Sequence, residues 1–430
     1  MRQRLSRGKG MNTLHSGDDV LIIGAGIGGL VLALELHDAG IPCRVYEAVP
    51  EIRPLGVGIN ILPHASRVLC QLGLEPELTR VAVTTRESVF YNRFGQLIYR
   101  EPSGRFAGYD YPQFSIHRGD LQQVLLQAVR ERLGPDAVAM DHRCTGVTQD
   151  DRSAQVHFRS SSTDAQLPTV AASAVVACDG IHSAIRAQLH PDEGLPRYSG
   201  INMWRGTTVG PPILTGASMI RAGWLDRGKM VIYPIRDNVD GQGNQLINWV
   251  AEIETPREVE RDWGRKGRLE DFVDAYADWQ FDWLDVPALL RGTEEVLEYP
   301  MVDQDPLDRW TFGRVTLLGD AAHPMVPRGS NGAGQAIIDA RVLRQSLSTV
   351  GDPQAALQAY ADQRLPATAK VVRTNRSTPP DVIIREVWER TKDQPFERIE
   401  DVISQAELEA ISQRYKEVAG FSPEVLRTGG

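Results

Sequence analysis

The sequence has only four cysteines among 430 residues, Cys43, Cys70, Cys144 and Cys178, and no two stand in a C-x-x-C spacing. That scatter gives no basis for a zinc site or a disulfide framework; no metal is expected, and a reducing cytoplasm is the natural setting. No block of Lys and Arg is interleaved with aromatics, and 56 acidic residues outnumber 47 basic ones for a formal net charge of −9, so nucleic acid is not an expected partner. A long uninterrupted apolar run is also missing. The nearest approach, Val20 to Leu36, follows Arg2, Arg4, Arg7 and Lys9 as a leader would, but Asp18 and Asp19 abut it, four glycines interrupt it and Glu35 closes it. Those features argue against a membrane span. Residues 1–17 are polar and aperiodic and are expected to form a disordered extension. There is no internal repeat and no low-complexity segment.

What is present is enough apolar sequence, 42%, for a large core, in a length that suits two or three domains. Val20 to Ile23 reads as a buried strand, Gly24 opens a tight turn, and Leu30, Val31, Leu34 and Leu36 give an apolar face to a helix that runs until Gly40. A second strand follows over Cys43 to Tyr46. In such a βαβ unit Gly24 makes the turn, Gly26 lets a pyrophosphate approach the backbone, and Gly29 lets the helix pack close to the strand. Ile27 and Gly28 begin that helix, whose N-terminus supplies a positive field. Glu47 ends the second strand, where a carboxylate accepts hydrogen bonds from a ribose diol. A dinucleotide is expected here, and this unit alone does not choose between NAD and FAD.

Further along, Arg53-Pro54-Leu55-Gly56-Val57-Gly58-Ile59 is an extended segment whose spaced glycines suggest backbone close to a ligand at Val57 and Gly58. Ser115 to Arg118 leads into a helix with Leu121, Val124, Leu125, Ala128 and Val129 on one face. Arg118 at its start is a candidate for phosphate or ribose; the alternative is a first-turn surface arginine. Ala174 to Cys178 is a short apolar strand ending in Asp179-Gly180, with Ser183 and Arg186 on the next helix. Arg314 to Leu318 repeats the pattern and ends in Gly319-Asp320, which puts an acid where open α/β sheets bind ligands. Pro327 to Gly334 is a second glycine-rich loop before a helix from about Gln335, so Gly332, Ala333 and Gly334 offer backbone N–H groups to negative charge.

The ordered set G-x-G-x-x-G, then Asp-Gly with Ser and Arg at matching offsets, then Gly-Asp, resembles the flavin-dependent aromatic hydroxylases, the single-component FAD monooxygenases of the para-hydroxybenzoate hydroxylase type. The strings Arg53 to Asn60, Tyr111-Pro112-Gln113, Ser115 to Gly119, Met203 to Gly206 and Tyr299 to Asp303 are similar to the 5-methylphenazine-1-carboxylate hydroxylase-like subgroup. The resemblance implies an α/β fold: a Rossmann-like FAD-binding domain, an inserted mixed β-sheet substrate domain and C-terminal helices. It implies FAD as bound cofactor, NAD(P)H as transient co-substrate, O2 as co-reactant, and hydroxylation of a planar aromatic or heteroaromatic small molecule through a C4a-hydroperoxyflavin. Gly24, Gly26 and Gly29 with Glu47 would hold the ADP half, and Arg118 the phosphate or ribitol region. Asp179 would lie toward the pyrophosphate and NAD(P)H, Asp320 would bind ribitol or pyrophosphate, and Gly332 to Gly334 would underlie the pyrimidine side of the flavin. One departure is that the group's usual Asn, five residues before the helix Asp, is here Gly334, counting from Asp339; Asn331 is the candidate replacement. An oxidase or dehydrogenase on the same fold, and a flavoprotein that sequesters an aromatic without turnover, are the competing readings.

The strand-like pieces Ile201 to Thr208, Met230 to Pro234 and Leu246 to Glu252 predict a sheet covering the flavin. Alternation lets only one of Trp204 and Arg205 face the pocket. Arg205 is the candidate for substrate-anion or flavin contact, against a sheet-surface arginine, and Tyr233 the candidate for cavity lining, against a core tyrosine. His64 and His323 are candidates for tuning substrate ionisation, against structural roles; no His/Asp spacing identifies a base, so the catalytic group is left unassigned. The expected division is an FAD-binding domain of 18–85, 114–190 and 299–372, a substrate sheet of 86–113 and 191–298, and a C-terminal helical segment of 373–430, in a monomer or homodimer.

Overall fold

Four-residue apolar runs build the centre of the first sheet. In the computed structural model, which describes residues 20–54, 56–255, 266–422 and 426, Val20–Ile23 is buried throughout and pairs in parallel with Cys43–Tyr46 on one side and Ala174–Ala177 on the other. The full order is Thr311–Phe312, Val315–Leu317, Ala174–Ala177, Val20–Ile23, Cys43–Tyr46, Val138–Ala139, parallel except for the outermost hairpin. Residues 1–17, expected as a disordered extension, lie outside the described residues.

Parallel strands that are apolar along their whole length require cover on both faces, and helices supply it. The first, α1 (Ile27–Asp38), is buried from Gly29 to Leu36 rather than on a single face. It is wedged between the sheet, α3 (Arg118–Leu133) and α4 (Gly332–Thr349), while α2 (Pro63–Gln71) packs on the far side of α4. Glu35 inside this wedge is neutralised by Arg341 and Arg344 of α4, whose Nε atoms lie 2.9 and 3.0 Å from its carboxylate.

The second sheet has the order Leu297–Asp303, Arg197–Gly210, Gln245–Glu254, Lys229–Arg236, Ser218–Ala222, Glu87–Tyr91, Leu97–Pro102, antiparallel but for one pair. Tyr299 to Asp303, expected in the FAD-binding part, therefore complete the covering sheet instead. A small sheet of Gly58–Ile61, Phe114–His117 and Val83–Thr84 lies between the two larger ones. The C-terminal helices are α5 (Pro353–Ser377), which crosses the expected boundary at 372/373, α6 (Val382–Thr391) and α7 (Gln405–Ala419). Ile383, Ile384, Val387 and Leu408 from the last two pack on Phe90, Ile98 and Tyr99, so this segment covers the far end of the covering sheet. Among the described residues no helix is long and apolar enough to cross a membrane, and no group of three or more His, Cys, Asp or Glu is placed to hold a metal ion.

Candidate active site

Two clefts meet at the carboxyl ends of Val20–Ile23 and Ala174–Ala177, where the chain leaves the parallel sheet in opposite directions. The outer measures ≈ 410 Å³ and the inner ≈ 330 Å³; they share Gly26, Arg118, Cys178 and Gly180 and form one groove of a size that takes small molecules. Gly26 is the N-cap of α1, no side chain caps the first-turn N–H groups, and the space over Gly26 is open. Gly24 and Gly29 are tight instead, since a side chain on either would overlap the backbone of Cys178 or of Gly24. Glu47 accepts the Ala25 N–H at 2.7 Å and the Val49 N–H at 3.0 Å, with its remaining lone pairs on the outer cleft. Asp179 accepts the Ala184 N–H at 3.0 Å through Oδ2, whereas Oδ1 is buried without a partner, and burial raises its pKa. Gln122, which no motif singled out, holds the Ala25 carbonyl at 2.8 Å.

Asp320 occupies the turn after Val315–Leu317. By area it is exposed, because it faces the groove, yet protein surrounds it; the enclosure governs its ionisation, and desolvation raises its pKa against the pull of His323 and Arg118. It faces Gly332 at the start of α4, where the N-cap Asn331 supplies no side-chain acceptor. Gly332 and Ala333 line the inner cleft, but Gly334 does not: it is buried against His64. Two helix N-termini, those of α1 and α4, thus open uncapped onto one groove, each a site for negative charge. Arg186 braces the Asp320 turn from below, holding the Ala321 and Ala322 carbonyls at 2.8 and 2.9 Å.

Both candidate histidines turn away from the groove. His323 Nε2 is 2.6 Å from Asp339 Oδ2, and Arg364 holds the other oxygen at 2.7 Å, while the Gly319 N–H reaches Asp339 at 3.2 Å. Burial opposes the ionisation of Asp339, but His323 and Arg364 outweigh it and its pKa is lowered. His64 is buried with neither ring nitrogen bonded, stacks on Phe421 at 5.4 Å, and is brought down to a pKa of about 3 by burial and then by Arg364. The geometry supports the structural alternative for each: α2 and the 319–323 turn aim both rings at α4 and its neighbours. Asn331 is also engaged elsewhere, donating to the Tyr415 hydroxyl at 2.6 Å.

Arg205 and Tyr233 do reach the inner cleft, and Trp204 points the other way to stack on Phe272 at 5.0 Å. Both meet the same atom, the Gly58 carbonyl, at 2.7 Å from Arg205 Nη2 and 2.8 Å from the Tyr233 hydroxyl. Asn248 Oδ1 accepts the Gly58 N–H at 2.7 Å. Ile235, Tyr233 and Asn248 come so near that any side chain at Gly58 would displace them. Val57 is buried beside it, its carbonyl accepting the Arg118 N–H at 3.0 Å. Arg205 and Tyr233 therefore tie the covering sheet to the nucleotide fold while walling the cleft. Asn60, Asn248, Arg221, Lys229, Arg328 and Asp381 also converge here. Asn60, Asn248, Arg221 and Lys229 offered the signal of polar side chains within strands, Arg328 lay in the second glycine-rich loop, and Asp381 offered none.

The uncapped helix ends and the open space over Gly26 fit a long anionic cofactor. Residues 18–375 match the FAD binding domain family, and the chain belongs to it. It is a flavoprotein monooxygenase with FAD as its cofactor. The chain is 44% identical to phenazine 1,6-dicarboxylic acid hydroxylase PhzS of Lysobacter antibioticus, over 83% of this chain and 89% of that protein. It is 34% identical to 3-amino-4-hydroxybenzoate 2-monooxygenase PtmB3 of Streptomyces platensis, over 83% and 86%. In fold it is similar to Klebsiella pneumoniae HpxO complexed with FAD and uric acid, with a TM-score of 0.69 at 23% identity over 96% and 95% of the two chains.

Proposed function

We propose that this chain uses O2 and a transiently bound NAD(P)H to hydroxylate a planar aromatic or heteroaromatic small molecule. The observation that carries the reading is one groove with an uncapped helix N-terminus where its two halves join, a second in its inner half, and an antiparallel sheet over that inner half. The names of the two relatives point the same way, to a phenazine dicarboxylic acid and an aminohydroxybenzoate.

Bound FAD supplies hydride acceptance and oxygen activation. The chain's own residues position and protect. The first turn of α1, from Gly26 through Ile27 and Gly28, receives the pyrophosphate, and Glu47 the ribose. Arg118, on the wall of both clefts, adds positive charge where they join. Asp320, on the wall of the inner cleft, is the acceptor for ribitol or lies beside the pyrophosphate. N–H groups of Gly332 and Ala333 at the start of α4 stabilise negative charge on the flavin's pyrimidine side. Met203, Pro300, Val302, Pro324 and Met325 give the inner cleft apolar walls that keep water from the reacting atoms. The scattered cysteines, with no C-x-x-C spacing, fit a cytoplasmic setting.

Turnover under 18O2 with NAD(P)H and a planar aromatic tests the reading. The expected product carries one labelled oxygen, and a product oxidised without label would show an oxidase or dehydrogenase instead.

A further inference from the structure

Beneath the inner cleft lies a smaller cavity of ≈ 60 Å³, separated from the turn that carries Asp320 and sharing Asn60, Met203, Arg205, Tyr233 and Ser330 with the cleft above. Its walls carry four cations, Arg205, Arg221, Lys229 and Arg328, against two carboxylates, Glu252 and Asp381. Two of the cations are matched. Lys229 Nζ lies 3.1 Å from both Glu252 oxygens and 2.7 Å from Asp381, and Arg221 Nε is 3.4 Å from Asp381 with its guanidinium over the Phe90 ring at 5.1 Å.

The other two are not. Among the described residues Arg328 approaches a carboxylate only at 3.9 Å, to Glu252, beyond hydrogen-bond range, and its Nε and Nη2 are buried without a partner there. Arg205 gives one N–H to the Gly58 carbonyl, and its Nε is buried and unpartnered. Buried guanidinium donors left unmade are costly, and a planar fork of N–H groups is complementary to an oxyanion. The cavity has room for a carboxylate-sized group but none for a ring. A ring attached to such a group would lie in the inner cleft above.

We propose that this small cavity is an acid-group subsite, in which Arg328, seconded by Arg205, receives an ionised carboxylate borne on the ring to be hydroxylated. The inference rests on the aromatic hydroxylase reading and deepens it: Arg328 decides that the substrate is an acid, and the depth of the cavity below the cleft fixes which edge of the ring faces the flavin. The matched cluster of Lys229, Glu252, Asp381 and Arg221 is the rigid wall behind it, and Asp381 brings the C-terminal segment into that wall.

The test compares planar ring acids with their uncharged carboxamides, beginning with phenazine 1,6-dicarboxylic acid and its diamide, in FAD-loaded full-length protein. NAD(P)H consumption and product mass are both followed. Wild-type protein is expected to prefer each acid at least tenfold in kcat/KM. Arg328→Gln should remove most of that preference by raising KM for the acid with little change in kcat, and Arg328→Lys should keep part of it; flavin absorbance and melting temperature confirm that each variant is loaded and folded. If amides are turned over as well as acids, or Arg328→Gln depresses both alike, the subsite is wrong while the hydroxylase reading stands. If no ring of either kind accelerates NAD(P)H oxidation, the hydroxylase reading falls and the subsite with it. Should Arg328→Gln fail to fold, the wild-type acid-to-amide ratio and Arg328→Lys still decide.

Discussion

Asp320 and His64 show at the scale of single residues how burial sets chemistry. Asp320 keeps an open path to the groove, so Asp320→Ala is expected to leave the fold intact and weaken FAD retention about tenfold or more, the loss of one hydrogen bond to a charged or polar cofactor group. Flavin content after gel filtration checks this, and a full complement of FAD would remove Asp320 from the site. His64 has no such path. Its pKa in the folded chain is about 3, against 6.5 unperturbed, so protonation favours the unfolded chain. Its stability contribution is complete above pH 6.5 and is lost as the pH falls toward 3, by up to about 1.4 kcal/mol per pH unit. Urea midpoints of His64→Leu between pH 7 and pH 4 should therefore fall less steeply than those of the native chain, and parallel slopes would refute the assignment. Sequence showed which residues were available at this scale but not which way they turned. Glycine spacing placed the loop of Gly24 to Gly29 because only a small residue suits those sites. Nothing local in the sequence tells that His323 finds Asp339, or that Asn331 serves Tyr415.

At the scale of elements, the link between α7 and the second glycine loop matters most. The Tyr415 hydroxyl accepts from Asn331 at 2.6 Å and donates to Asn375 at 2.8 Å, and it sits where a side chain on Gly329 would project. Gly329 also has φ +72°, a region that costs any other residue strain. Gly329→Ala is expected to lower stability by about 1–3 kcal/mol, and Tyr415→Phe by about 1 kcal/mol, as measured by urea unfolding. The larger effect should belong to the glycine; no loss in either variant would mean that α7 does not brace the loop. Strands Val20–Ile23 and Cys43–Tyr46 were legible residue for residue, the first as a bare apolar run between turns, the second from its place after the helix that closes the βαβ unit. Tyr299 to Asp303 were not. Their neighbours in sequence belong to the nucleotide fold, but their backbone hydrogen bonds go to Arg197–Gly210, about a hundred residues earlier.

At the scale of the whole molecule, the groove lies between the parallel sheet and the antiparallel one, so a cofactor in it touches both. Removal of FAD is expected to lower stability by RT ln(1 + [FAD]/Kd), about 4 kcal/mol when free FAD stands at a thousand times Kd. Thermal melts of stripped and reloaded protein measure this, and identical curves would show that bound FAD does not tie the two sheets together. The α/β class and the covering sheet were readable from motif order and alternation. The C-terminal segment's position over Phe90 and Tyr99 was not, because an amphipathic helix declares that it has a partner without naming it.

Gly58 has a consequence for recombination among relatives. Its N–H and carbonyl are held by Asn248, Arg205 and Tyr233, side chains from three different strands of the covering sheet. A chimera whose crossover falls between residue 58 and residue 205 inherits the two halves of that clasp from different parents. Libraries built to exchange ring preference are expected to yield folded, yellow protein where all four positions share one ancestry, and sparse yield where they do not.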